Sequence, residues 1–320
     1  MTADALATSV LITVAQLTLA LGSAPLLQGI TRRVKARLQY RYGPSVWQPY
    51  RDLRKWWGKT PVESDTASAL TAAAPAIVLA AMIVAVLLLP LVALQTPLDR
   101  TGDVLVVIGL LALARFVLAL AALDAGSAFG GMGASREVAI ASLVEPGVLL
   151  ALAVAIADSG TTNLSGIATE GAQAGVAMYT PALLLAAAAF GIVAIAETGH
   201  EPVDNPDTHL ELTMIHEGML LEASGRRLAL LVYAAQVKLV VIVGLFAAVF
   251  LPFGAASDAT VAALSVGIGV AFLKLAAAAG LLALLDAGTA KLRILALPGL
   301  LGLSSLLALT ALAVRLWLPA

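Results

Sequence analysis

Residues 197–222 read ETGHEPVDNPDTHLELTMIHEGMLLE, and this stretch concentrates the ionisable side chains of the chain. It holds seven of the 20 carboxylates and all 3 histidines, with no lysine or arginine. Apolar runs long enough to cross a bilayer lie on both sides of it. An ionised group near hydrocarbon costs several kcal/mol unless water or a partner contacts it. The stretch therefore predicts either a function for these charges or a partner surface that covers them.

The composition of the whole chain is that of a membrane protein. Its 320 residues are 60 % hydrophobic and 12 % charged, whereas soluble domains are about 45–50 % apolar and about 25 % charged. The net charge of −1 gives no indication of a nucleic-acid partner. Because the chain has no cysteine, it has no thiolate for an iron–sulfur cluster or a thiolate metal site. We expect any redox cofactor in another subunit.

A membrane-spanning helix needs about 20 apolar residues. The sequence contains eight runs of this kind, and we predict an all-α, polytopic membrane protein with eight transmembrane helices. The N-terminus has no basic segment or cleavage site of a signal peptide, so the first run is predicted to be a retained helix. The predicted spans are 5–28, 69–94, 104–123, 138–157, 178–196, 228–251, 260–285 and 294–318.

The distribution of basic residues predicts the orientation. With the N-terminus on the outer side, fourteen lysines and arginines fall in cytoplasmic loops and only Arg100 and Arg315 lie outside. We therefore predict one transmembrane domain, 1–320, with an amphipathic cytoplasmic loop at 29–66 and an acidic cytoplasmic loop at 197–227. The fourteen are the nine from Arg32 to Lys59, then Arg136, Arg226, Arg227, Lys291 and Arg293.

The first cytoplasmic loop is rich in aromatic and basic side chains, including three of the 4 tryptophans. Val46, Tyr50, Leu53 and Trp57 share one side of a predicted helix. Such a helix is typical of the headgroup plane, with basic residues toward anionic lipid, which is the favoured interpretation; docking of a cytoplasmic subunit is the alternative and is compatible with it. The predicted lipid or subunit interface comprises Arg37, Arg41, Trp47, Tyr50, Arg51, Trp56 and Trp57.

Three basic residues remain inside predicted spans: Arg115, Lys238 and Lys274. Glu145 is the acidic residue at matching depth. Ionisable residues within a membrane are candidates for ion or proton relays, and the three basic residues are the predicted charge partners. The alternative is that these charges only hold helices together, or that the two lysines reach the interface. Further acidic residues lie at span ends: Asp124, Glu137, Glu197 and Asp286.

Two prolines interrupt the acidic loop. Pro202 and Pro206 exclude a continuous helix, so a loop is predicted after the fifth span. Asp207 or Thr208 could then cap a second helix, with Glu211 placed as in a capping box.

The histidines of the acidic loop do not match a zinc motif. His209 and His216 are seven residues apart, and no second histidine follows His216 at the four-residue spacing of HExxH. Three interpretations remain for the loop: a metal site, a solvated acidic loop without a role, or a protonatable path from the cytoplasm into the membrane. Clustered carboxylates suit the third, because repulsion and desolvation raise their affinity for protons.

Three segments resemble a known family. AETGHEPVDNPDTHLELTMIHEGMLLEASG (196–225) is similar to the loop between the fifth and sixth helices of the complex I membrane subunit that forms the quinone chamber. It resembles still more the corresponding subunit of formate hydrogenlyase and related membrane-bound [NiFe]-hydrogenases. KARLQYRYGPSVWQPYRDLRK (35–55) and LDAGSAFGGMGASREVAIASLVEP (123–146) are similar to the other two signature segments.

The resemblance implies a connector in the cell membrane. A cytoplasmic arm with a [NiFe] large subunit and an Fe–S small subunit would dock on it, and antiporter-like membrane subunits would lie alongside. The [NiFe] site and Fe–S clusters would belong to those partners, with no cofactor in this chain. The motif positions imply an acidic proton path through Glu197, Asp204, Glu211, Glu217 and Glu222, with Asp124, Arg136 and Glu145 at the other matching positions.

Two departures from the complex I pattern favour the hydrogenase branch. The segment from Gly43 to Pro49 is several residues shorter than in complex I, which argues against a complete quinone chamber. In the sixth span, Tyr233 to Lys238 read YAAQVK, where complex I carries a buried glutamate. The alternatives are a quinone-chamber subunit of a complex-I-like oxidoreductase, a purely structural anchor, and a stand-alone cation transporter. Paired repeats or broken helices would indicate a transporter, and the sequence shows neither clearly.

Overall fold

The computed structural model describes residues 3–62, 64–96, 98–204, 214–258 and 260–317, without the side chains of 3–7 and Arg100. The described part is all-α, as predicted, and contains two isolated bridges but no β-strand. Short 3-10 helices lie at Asp99–Thr101, Gly175–Met178 and Ile294–Ala296. The α-helices of the described residues are α1 (Ala3–Leu38), α2 (Gln48–Trp57), α3 (Ala69–Leu88), α4 (Val104–Asp124), α5 (Ala128–Ser159), α6 (Leu164–Ala174), α7 (Pro181–Glu197), α8 (His216–Leu220), α9 (Gly225–Phe250), α10 (Val261–Gly288) and α11 (Leu297–Trp317).

The predicted membrane spans all appear as helices. In the described residues, α1, α3, α4, α5, α9, α10 and α11 are each long and apolar enough to cross a bilayer. The remaining span is α7, which passes the same test together with the preceding segment 164–178 and meets it at a bend of 118°. The short helix α6 was not predicted, because its sequence LSGIATEGAQA mixes small and polar residues. The seven single helices and the bent pair together agree with the eight predicted spans.

Two helices extend well beyond their predicted spans. α1 continues to Leu38 and α5 begins at Ala128, each more than two turns outside the predicted limits. Glycines weaken a helix by propensity, and the start of α5 contains three of them. Close packing explains why they are helical here. A Cβ built on Gly133 would lie 3.0 Å from the carbonyl oxygen of Ile215 and 3.1 Å from the carbonyl carbon of Gly218.

A proline inside α1 fixes how α2 and α9 pack on it. Pro25 has no N–H for the carbonyl of Leu21, one turn earlier. The Tyr233 hydroxyl of α9 donates to that carbonyl at 2.9 Å, and the Tyr50 hydroxyl of α2 donates to the carbonyl of Gly22. Burial raises the pKa of Tyr50 above its ordinary value, so this hydroxyl remains a donor. The predicted amphipathic helix α2 is thereby held against α1 and α9.

The bundle is arranged around α9, the most deeply buried span of the described residues, with α10 and α11 the least buried. The long loops meet at one end. Arg226 donates to the carbonyl of Trp57 at 3.2 Å, and Lys291 pairs with Asp204 at 2.8 Å. The first loop, the acidic loop and the α10–α11 connection therefore share this end, which is the predicted cytoplasmic side. The connections α3–α4 and α9–α10 meet at the opposite end.

Candidate functional site

The centre of the candidate site is Arg115, which is buried on α4. Its Nη1 donates to Glu145 Oε1 at 2.6 Å, and its Nη2 donates to Glu197. Its Nε lies 3.5 Å from Glu137 Oε1. The guanidinium has five N–H donors in a fixed planar fork, so one side chain can serve three carboxylates. Arg115 thus joins α4 to two positions on α5 and to the end of α7.

A second cation completes this arrangement. Lys238 of α9 places Nζ 2.9 Å from the other oxygen of Glu197. The Glu197 side chain is only 4 % exposed and is held between the two cations. Burying a charge is costly unless a partner of opposite sign contacts it, and here both cations contact it. We call the set Arg115, Glu137, Glu145, Glu197 and Lys238 the buried charge cluster.

The structure brings together four of the predicted residues, namely Arg115, Glu145, Glu197 and Lys238. Glu137 belongs to the cluster as well, although the sequence placed it only at a span end. The available signal was its spacing: Glu137 and Glu145 are eight residues apart, which is close to two helical turns. That spacing was informative only if the helix began before residue 138, as α5 does.

Lys274 lies elsewhere and has a different kind of partner. Its Nζ donates to the carbonyl oxygens of Leu251 and Phe253, which follow the last residue of α9. The last carbonyls of a helix lack internal donors and carry partial negative charge, so a lysine stabilises them. In the described part of the chain, Lys274 therefore contacts a helix end and not the carboxylate expected for a charge partner.

Asp124 also serves a helix end. Its Oδ2 accepts hydrogen bonds from the backbone and hydroxyl of Ser68, at 2.8 and 2.9 Å, and from both groups of Thr71. Ser68 is the N-cap of α3, so Asp124 satisfies free N–H groups at the start of that helix. The structure places this predicted proton-path residue outside the buried charge cluster.

A cleft connects the buried charge cluster to the acidic loop. It encloses about 580 Å³ including its open mouth. Two further cavities, of about 370 and 410 Å³, adjoin the same arginine. Because the cleft is open at its mouth and several of its lining side chains are charged, it can hold water. The ionisable residues that line it are Arg115, Glu137, Glu197, Asp204, His216 and Lys238.

Two ion pairs and one histidine–carboxylate contact tether the start of the acidic loop to the surrounding helices. They are Lys35–Glu201 at 3.7 Å, His200 Nδ1–Asp286 Oδ2 at 2.9 Å, and Lys291–Asp204 at 2.8 Å. Asp204 was predicted as a site residue, whereas the other five were not assigned to the site. These contacts join positions far apart in the sequence, and no local pattern indicates them. We call them the loop tethers.

The remaining residues of the predicted acidic path are spread along the loop. Glu217 is half-buried on α8, and Glu222 is exposed beyond its end. Arg136 donates to the carbonyl of Met214 at 2.9 Å and so fixes the loop just before α8. Glu211 lies outside the described residues, as do His209 and the predicted cap at Asp207 or Thr208.

The predicted interface residues lie on and around α2. Trp47 and Trp57 are exposed by 56 % and 55 %, and Tyr50 and Trp56 are half-buried. The guanidinium of Arg37 stacks over the ring of Tyr42, 5.2 Å from its centroid. Exposed tryptophans beside basic side chains fit the polar interface of a membrane or a docking surface. The three predicted arginines, Arg37, Arg41 and Arg51, are all exposed.

Comparison with known proteins shows the family of this chain. A family model described as NADH dehydrogenase matches residues 10–317. The chain belongs to the NADH dehydrogenase family. Family membership and the apolar helices together make it a multi-pass protein of the cell membrane.

Its curated relatives include two hydrogenase subunits of Escherichia coli. "Hydrogenase-4 component C" is 37 % identical over 83 % of this chain and 82 % of that protein. "Formate hydrogenlyase subunit 4" is 35 % identical over 85 % of this chain and 87 % of that protein. A subunit of the NADH-quinone oxidoreductase of Thermomicrobium roseum is 29 % identical over 72 % of this chain and 74 % of that protein. The resemblance to membrane subunits of complex-I-related hydrogenases is confirmed.

A solved structure of an archaeal respiratory membrane complex shows the same fold. A chain of the archaeal membrane-bound sulfane sulfur reductase superposes with a TM-score of 0.82, covering 95 % of this chain and 98 % of that one, at 24 % identity. At this identity the likeness establishes the fold. In the present chain, no three histidine or acidic side chains of the described residues are placed to hold a metal ion.

Proposed function

We propose that this chain anchors the cytoplasmic redox subunits of a complex-I-related hydrogenase complex and couples their electron transfer to proton movement. The observation that carries the proposal is the buried charge cluster, which a cleft joins to the acidic loop at the predicted cytoplasmic end. Ionisable residues at membrane depth that line a cavity are characteristic of proton relays. Two relatives of 35–37 % identity named as hydrogenase or formate hydrogenlyase subunits favour the hydrogenase form over the quinone-reducing form.

The proposed cytoplasmic partners are a [NiFe] large subunit and an Fe–S small subunit, which would carry the metal centres. The docking surface would combine the acidic loop with the exposed basic and aromatic residues around α2. Antiporter-like subunits are the proposed neighbours in the membrane. Glu145 supports a lateral neighbour, because its side chain is 42 % exposed near the middle of α5. A carboxylate at that depth needs water or another protein against it.

Glu145→Gln in the intact complex tests proton coupling. The substitution keeps the size of the side chain and leaves Arg115 its contacts with Glu197 and Glu137. We expect hydrogen turnover with a soluble dye to remain near wild type, while the number of protons moved per electron in proteoliposomes falls. Asp158→Asn is the matched control, since its pair with Arg315 lies outside the cluster. An unchanged proton-to-electron ratio in Glu145→Gln would contradict the relay and leave a structural role for this charge.

Isolation of the complex tests the anchoring role. After solubilisation in mild detergent and purification through this subunit, mass spectrometry identifies the bound proteins. A large subunit with paired Cys-x-x-Cys motifs near both ends is expected, as [NiFe] coordination requires thiolates. A related large subunit without those cysteines would instead favour a complex that reduces a quinone or another electron acceptor. Recovery of this chain alone would exclude the connector function and favour a stand-alone transporter.

A further inference from the structure

His216 occupies a position that neither the predicted acidic path nor the buried charge cluster explains. It is the first residue of α8, and its backbone N–H donates to Asp204 Oδ2 at 3.4 Å. His216 is among the residues that line the cleft of about 580 Å³ and also the adjoining cavity of about 410 Å³. Both cavities are shared with Arg115, Glu137 and Lys238. The imidazole therefore stands between the loop tethers and the cluster.

The Nε2 atom of His216 is fully buried and has no hydrogen-bond partner among the described residues. A buried polar atom without a partner is costly, so such atoms are usually explained by a function or by solvent. Imidazole gains and loses a proton near neutral pH, with one ring nitrogen as donor and the other as acceptor. Because His216 borders both cavities, its imidazole is placed to take a proton from one side and give it to the other.

The charge balance of the cluster favours a protonatable neighbour. Three carboxylates face two cations, which leaves the buried charge cluster one negative charge in excess when all five groups are ionised. A protonated imidazole on the same cavity would balance that excess. The charged and titratable groups that line the cavities with His216 are Arg115 of α4, Glu137 of α5, Glu197 of α7, Lys238 of α9 and Asp204 of the loop.

We propose that His216 is the proton-transfer group between the acidic loop and the buried charge cluster, an inference that rests on the proposed proton-coupling function. The imidazolium loses its proton through water in the cleft to a carboxylate oxygen of Glu137. An N–H bond breaks and an O–H bond forms, so the two charged groups become a neutral imidazole and a carboxylic acid. A proton entering past Asp204 then restores the imidazolium.

Chemical rescue distinguishes this role from a structural one. In proteoliposomes of the intact complex, His216→Ala should lower coupled proton transport by at least about tenfold, since a general acid–base group contributes about 10²–10⁴-fold. Added imidazole should restore transport, because the free base can occupy the cleft. His200→Ala is the matched control: its Nδ1 is paired with Asp286, and we expect no recovery with imidazole. Failure of imidazole to restore His216→Ala would overturn the proposal.

His216→Gln and Glu145→Gln complete the design. If His216→Ala does not assemble, the longer glutamine keeps a side chain in the cleft but cannot carry the proton, and wild-type transport at every pH would then refute the role of His216. If Glu145→Gln uncouples the complex while both His216 variants stay coupled, the inference fails and the proposed function stands. If none of these variants changes coupling, the proposed function itself fails.

Discussion

The pair Glu197–Lys238 offers the sharpest test of the buried charge cluster. Lys238→Met removes one of the two cations that contact Glu197, whose side chain is 4 % exposed. Breaking a buried ion pair on one side typically costs about 3–5 kcal/mol, because the other charge stays buried without its partner. Arg115 still contacts Glu197, so the lower end of this range is expected, about 3 kcal/mol. Glu197→Gln should cost a similar amount, since it removes the carboxylate that contacts Lys238.

The double variant Glu197→Gln/Lys238→Met should be destabilised by less than the sum of the losses in the two single variants. Removing both charges also removes their desolvation cost, so a coupling of about 1–3 kcal/mol is expected. The assay is the unfolding equilibrium of the purified complex in detergent for all four variants. Asp158→Asn is the reference, because its pair with Arg315 is partly exposed and is worth about 0–1 kcal/mol. Strictly additive effects, or single variants no worse than the reference, would refute the cluster geometry.

Two further predictions concern packing and pH. Gly133→Ala should lower the thermal stability of the complex, because its Cβ would lie 3.0 Å from the carbonyl oxygen of Ile215, just before α8. Gly131→Ala is the control: only one atom would lie near its Cβ, at 3.9 Å, so this substitution should be neutral or stabilising. Equal thermal midpoints for the two variants would contradict this packing. The raised pKa of Tyr50 means that folding favours its protonated form, so its contribution to stability is complete below the unfolded pKa of about 10 and is lost as the pH rises through the higher folded value. Tyr50→Phe should remove this alkaline component from a thermal-stability profile, and an unchanged profile would argue against the burial of this hydroxyl.

The membrane spans could be predicted because long apolar runs are a direct consequence of the bilayer. The predicted ends of the helices were less accurate where packing against other helices determines them. The start of α5 is helical because Gly130 and Gly133 allow close contacts with α4 and α8, and a single sequence does not show that contact. The bend before α7 was not predicted either, since the composition of α6 indicates no helix; in the structure α6 packs against α5 and α9.

The site was predicted in part, and the reason is physical. Buried charges need partners, so Arg115, Lys238 and Glu145 could be selected from their depth alone. The same rule selected Lys274 and Asp124, which find their partners at helix ends. Sequence reasoning does not separate these cases, because a helix terminus satisfies a charge as an opposite charge does. The loop tethers depend on contacts such as Lys35 with Glu201, between segments far apart in the chain.

The arrangement around Arg115 argues for a responsive cluster more than for simple helix packing. A structural pair would be balanced and closed, as one cation with one carboxylate. Here one guanidinium serves three carboxylates, the contact with Glu137 is the longest at 3.5 Å, and Glu145 is half-exposed. A proton placed on either of these two carboxylates would free guanidinium N–H groups to bond the other carboxylates, since all three share the same donors. The carboxylates are thus coupled through Arg115, so a charge change near the acidic loop can rearrange the contacts that Glu145 makes on the membrane side of the cluster.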